Sequence, residues 1–150
     1  MSESEMTAAL RVGQDEGASG YRRGGYHPVR IGDRMSNGRY TILSKIGWGH
    51  FSTVWEAFDA TSGNHVALKV VKSAPQYTDA ARDEISIMNK ITTTDIANDS
   101  CCVHLLDSFT HDGPNGTRLL FSPSSFSPQK DTFVTMLSLS LSLSLSQTRF

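Results

Sequence analysis

Cysteine is scarce: the chain has two, the neighbours Cys101 and Cys102. An adjacent pair cannot form the framework of a disulfide-stapled secreted scaffold, so both are expected as free thiols in a reducing cytoplasmic or nuclear compartment. Charge of one sign is missing as well. Lysine and arginine number 14 against 15 acidic residues, a net charge of -1, which argues against a phosphate backbone as the main partner, and so against direct nucleic-acid binding, without excluding a local basic site. No apolar run approaches the ~18 residues of a membrane span, and Glu3 and Glu5 stand where a signal peptide would need an apolar stretch. No histidine has the spacing of a metal ligand set: His27 precedes a proline and His104 stands alone in an apolar run, so both are expected to be structural. The length, 150 residues, suits one modest domain.

The composition is uneven along that length. Residues 1–25 are polar and glycine-rich and are expected to form a disordered arm. From 26 onward the patterning is that of a folded domain. Residues 40–46 and 51–58 predict two strands, the second with Phe51, Thr53, Trp55 and Ala57 on one face and Val54 and Phe58 on the other. The run Asp59-Ala60-Thr61-Ser62-Gly63-Asn64 is turn chemistry, which makes residues 65–71 an antiparallel third strand. After Pro75 the period becomes helical, with Thr78 as the expected cap, Ala81, Ile85, Met88 and Thr92 on the apolar stripe, and Ile87 and Ile91 widening it. Residues 103–109 predict a fourth strand. The fold class is α+β, an antiparallel sheet with one packed helix.

Beyond about 117 the patterning changes again, and residues 118–150 are expected to be a low-complexity tail, with Leu119-Leu120-Phe121 able to imitate one more strand at its start and five Leu-Ser repeats over 137–146. The repeats admit three explanations: an amphipathic strand, a segment prone to cross-β stacking, or a translated (CT)n dinucleotide repeat from intron or frame-shifted sequence.

Three features carry chemistry. Gly47-Trp48-Gly49-His50-Phe51-Ser52-Thr53-Val54 lies between the first two strands, and a turn of this kind lets backbone N–H groups face phosphate oxygens; a plain hairpin turn would look the same. Lys69 ends the apolar run Val66-Ala67-Leu68, where an ammonium needs an anion unless it snorkels from a sheet edge. Glu84 lies on the helix among Ala81, Ile85 and Met88, and its alternative is an ordinary solvated carboxylate. Together the three fit one mechanism: a glycine loop over nucleotide phosphates, Lys69 on the α- and β-phosphates, Glu84 holding Lys69, and Ile46 and Val54 enclosing adenine with Ala67.

These residues, with Gly25-Tyr26-His27-Pro28-Val29-Arg30-Ile31-Gly32-Asp33, Lys69-Val70-Val71-Lys72-Ser73-Ala74, Tyr77-Thr78, Asp83-Glu84-Ile85, Leu105-Leu106-Asp107-Ser108-Phe109 and Asn115-Gly116-Thr117, resemble the small lobe of the SR-protein kinases. Trp48, His50 and Ser52 are characteristic of that family rather than of kinases at large. The resemblance runs from about 25 to 117 and implies a partial protein kinase domain over 26–117. It also implies ATP as the nucleotide and Arg/Ser-rich splicing factors as substrates, without the large-lobe docking surface. By the same resemblance Gly47, Trp48, Gly49, His50, Phe51, Ser52, Thr53, Val54, Ala67 and Lys69 carry over as nucleotide-binding positions, and Lys69 with Glu84 as the catalytic ion pair. The catalytic-loop Asp, its Asn partner and the Asp that holds Mg²⁺ have no counterpart here, so the chain is expected to be truncated before the catalytic loop and inactive alone. Asp107-Ser108-Phe109 and His111-Asp112-Gly113 are expected as strand end and turn. The alternatives are a non-catalytic isoform that binds ATP or partners, and an unstable product of intron read-through.

Overall fold

The computed structural model describes residues 16–124 except Ile96 and residues 98–102. The expected arm as far as residue 15, the Cys101–Cys102 pair and the Leu-Ser repeats lie outside the described residues. Six strands form one antiparallel sheet: β1 Arg34–Met35, β2 Tyr40–Trp48, β3 Ser52–Asp59, β4 Asn64–Val71, β5 Leu105–Gly113 and β6 Gly116–Pro123, in the order β1-β2-β3-β4-β6-β5. The single long helix among the described residues, α1 Pro75–Thr94, connects β4 to β5. No described helix is long and apolar enough to cross a membrane.

Alternation along the strands divides the sheet into two faces. On one, Tyr40, Ile42, Trp55, Ala57, Val66, Leu68, Val70 and Leu120 form the main core with Met35, all buried. The Trp55 indole donates to Thr53 Oγ1 at 3.0 Å, and the Tyr40 ring stacks on Phe109 with centroids 5.5 Å apart. On the other face Val71 and Phe121 pack against Ala81 and Met88 of α1, as helical periodicity predicts, except that Ile87 points outward and is exposed.

The β3–β4 turn is fixed by Asp59, whose carboxylate accepts from the Thr61 N–H and the Ser62 hydroxyl, each at 3.0 Å. The same carboxylate takes a two-point contact from the Arg39 guanidinium at 2.8 and 3.0 Å, which holds its pKa well below the usual carboxylate range. Arg39 also reaches Asp107 at 3.1 Å, and Asp107 accepts from the Tyr40 hydroxyl at 2.7 Å. Asp107 is thus spent tying β5 to β2.

Four expectations need correction. Ala74, not Thr78, caps α1, and Pro75 occupies its first turn; Pro is pre-organised there because its missing N–H is one that the helix leaves unpaired. Thr78 lies inside, its hydroxyl 3.4 Å from the Ala74 carbonyl. The fourth predicted strand runs on to Gly113 and turns at residues 114–115, so His111-Asp112-Gly113 is strand. The expected boundary at 117 is crossed by β6, which pairs with β5 along its length and with β4 at Lys69↔Phe121 and Val70↔Leu120. Lastly, part of the expected arm is bound to the lobe: a 3-10 turn forms at Ala18–Gly20, the Gly24 N–H donates to Asn115 O, and Ala74 N–H donates to Gly24 O.

Candidate nucleotide site

β2 carries two irregularities of register, one between Lys45 and Gly47. The extra residue there is Ile46, and a bulge of this kind re-aims a side chain. Ile46 joins Val54 and Ala67 in a small apolar cluster separate from the main core. Gly47 pairs with Val54, and Val54 in turn with Lys69, so the glycine turn, the apolar trio and the lysine adjoin on one face.

Lys69 is 3% exposed, and an ammonium so buried needs a partner. It has one: Nζ donates to both carboxylate oxygens of Glu84 at 3.0 Å. The Phe121 ring lies 5.2 Å from the same Nζ, a favourable cation–π placement. The snorkelling and solvated alternatives for these two residues are thereby removed. The apolar flank of α1 places Glu84 over the sheet: Ala81 and Met88 are buried on Val71 and Phe121, and Glu84 sits three residues after Ala81, one turn along.

The turn itself spans Gly49, His50 and Phe51. The Gly49 N–H donates to Ser52 O at 2.8 Å and Phe51 O accepts from the Lys72 N–H at 2.9 Å. Neither Gly47 nor Gly49 takes a positive φ. Not every expected position faces the lysine. Thr53 is buried, its Oγ1 accepting from the Trp55 indole, and the His50 and Phe51 rings pack on Tyr77 at 6.0 and 5.4 Å. Thr53 can offer a ligand its backbone only, whereas His50 is exposed and the Trp48 ring is 37% exposed.

A group of residues outside the quoted loop completes the turn. Tyr26 is buried and donates its hydroxyl to Gly49 O at 2.6 Å. The Lys72 ammonium lies 4.3 Å from the Tyr26 ring and 5.2 Å from the Tyr77 ring. Burial is the main cause that pushes the Tyr26 hydroxyl up and the Lys72 ammonium down from their ordinary values. Tyr26 stands 23 residues before Gly49, and no local spacing points to the contact. The histidines expected to be structural have structural surroundings: His104 pairs with Asp95 at 3.0 Å, and His27 packs edge-on against His111 at 5.1 Å.

A glycine turn over an antiparallel sheet, with a strand lysine held by a helix glutamate, is the arrangement of a protein-kinase small lobe. The likeness in sequence is more particular. The chain is 50% identical over 107 residues, 71% of its length, to the serine/threonine-protein kinase SRPK of Physarum polycephalum. It is 51% identical over 106 residues to the serine/threonine-protein kinase spk-1 of Caenorhabditis elegans, and 45% identical over 108 to the human SRSF protein kinase 3. No family model matches the chain. The matched segment is similar to an N-terminal part of these kinases. The chain spans 25%, 10% and 19% of the length of these relatives.

Proposed function

We propose that the described lobe is the ATP-binding part of a serine/threonine kinase that phosphorylates Arg/Ser-rich splicing factors in the cytoplasm, the nucleus or both. The observation that carries it is the two-point Lys69–Glu84 pair beside the glycine turn and the Ile46, Val54 and Ala67 cluster. The site suits the ligand: an apolar slot of small and branched side chains for a flat base, backbone N–H groups in the turn for phosphate oxygens, and one oriented cation. Lys69 binds the α- and β-phosphates, Glu84 fixes its position, and the backbone of residues 47–52 covers the phosphates. Names of the relatives support the class of substrate.

On their own, the 150 residues are proposed to bind nucleotide without transferring phosphate. A general base contributes ~10²–10⁴ in rate, and the sequence offers neither that base nor the Mg²⁺ ligands of the family. The test uses the full chain in a thermal-shift titration with MgATP. Ligand that binds only the folded state raises the melting temperature with concentration, so wild type is expected to shift and Lys69→Met to remain flat. No shift in wild type, or equal shifts in both, overturns the binding reading. Phosphate incorporated into an Arg-Ser repeat peptide by wild type but not by Lys69→Met overturns the inactivity.

A further inference from the structure

We propose that Tyr26 is a positioning residue for the glycine turn, its hydroxyl setting the direction of the Gly49–His50 peptide; the proposal rests on the nucleotide reading of the site. In a trans peptide the carbonyl and the following N–H point in opposite directions, and no described peptide bond is cis. Gly49 O accepts from Tyr26 Oη at 2.6 Å, on the side where Tyr26, Lys72 and Tyr77 gather, which turns the His50 N–H the other way. A turn that offers N–H groups to phosphate must keep its carbonyls from the same oxygens. A bound donor on the carbonyl accomplishes that before any ligand arrives, which is preorganisation.

The anchor is itself fixed. The Tyr26 N–H donates to Gly20 O at 2.9 Å, and Tyr26 O accepts from the Asn115 amide at 2.7 Å. Gly20 leaves room for the ring: a Cβ there would lie 2.7 Å from Tyr26 Cδ2. Lys72 completes the fixture, its ammonium over the ring at 4.3 Å and its N–H on Phe51 O. Two carbonyls of the turn, Gly49 and Phe51, are therefore held by donors from outside it, one from the segment before the sheet and one from the end of β4. A tyrosine hydroxyl is protonated, and so a donor, at neutral pH, and burial pushes this one further up.

The substitution Tyr26→Phe removes the hydroxyl and keeps the ring with its cation contact. Residue-resolved amide exchange of the full chain without nucleotide, with the melting temperature and MgATP affinity measured alongside, tests the proposal. Expected are exchange at Gly49, whose N–H is held on Ser52 O, faster by about 3- to 10-fold, an affinity weaker by a similar factor, and a melting temperature little changed, the scale of one hydrogen bond. Unchanged exchange at Gly49 overturns the anchor. Faster exchange with unchanged affinity overturns the positioning role. Wild type that exchanges slowly at Gly49, loses that protection in Tyr26→Phe and fails to bind MgATP supports the anchor and sinks the nucleotide reading instead.

Discussion

Among the described residues two cations are buried, and they have opposite fortunes. Lys69 meets a carboxylate on two points, whereas Arg118, 1% exposed, donates from Nη2 to Gly116 O while its Nε and Nη1 have no partner. Burial lowers its affinity for the proton, and Asp112 offsets this only in part. Around it are His27 and Gly113, where an added Cβ would lie 2.6 Å from the imidazole and 3.1 Å from the guanidinium. A desolvated charge left unpaired costs several kcal/mol, so Arg118→Met, similar in volume and uncharged, is expected to raise the melting temperature by more than about 5 °C. Calorimetry decides, and a fall would show that the guanidinium is satisfied in solution. Lys69 and Glu84 were legible in the sequence because an ammonium in an apolar strand and a carboxylate on an apolar helix flank each ask for a partner. Tyr26 and Arg118 were not, since a hydroxyl contact between distant segments and a cation enclosed by neighbouring strands leave no periodic trace.

At the scale of elements, β2, β3, β4 and the apolar stripe of α1 follow from alternation, turn chemistry and helical spacing. Where expectation and structure part, local signals were overruled by tertiary pairing. Residues 119–121 lie next to serine- and proline-rich sequence and look like a tail by composition, yet Leu120 and Phe121 fill both faces of the sheet beside β4. The ladder on one side and the helix on the other make a strand of them. Leu120 is fully buried, and Leu120→Ala is expected to cost about 2–4 kcal/mol. Urea unfolding followed by the fluorescence of buried Trp55 measures it, with exposed Thr110→Ala as the neutral comparison. A loss below about 0.5 kcal/mol in Leu120→Ala would mean that β6 is dispensable to the sheet.

For the whole molecule, acid is expected to act in two stages. His27 is buried with Arg118 and His111 nearby, and burial above all, opposed only by Asp33, pushes its imidazole from 6.5 down to about 4. The unfolded chain therefore takes up a proton that the folded one refuses, and stability falls as pH drops from about 6.5 towards 4, by up to about 3 kcal/mol. Asp59 has the opposite chemistry and the same sign of effect. Its carboxylate is held low by Arg39, so its contribution persists above the usual carboxylate range and disappears only below it. Melting temperatures between pH 7.5 and 4.5 are expected to slope downward in wild type and to flatten in His27→Gln; parallel curves would clear His27 of the effect.

The order of the strands has a consequence for how the lobe opens and closes. β2 to β4 form one meander of neighbours in sequence, and β5 with β6 form a hairpin of their own, each internal ladder carrying eight in-register pairs between β3 and β4 or β5 and β6. Between the two units only Lys69↔Phe121 and Val70↔Leu120 are in register, and side chains supply the rest: the Ser122 hydroxyl on Ala67 O at 2.8 Å, Asp107 on Arg39 and Tyr40, and Phe109 stacked on Tyr40. Each hairpin closes over a short loop, while the seam between them closes over the whole of α1, the slower event on entropic grounds. The seam is thus the last part of the sheet to assemble and the natural line along which it parts. Lys69 stands on that line, paired with Val54 of the meander on one side and Phe121 of the hairpin on the other, so the cation of the candidate site bridges the two units.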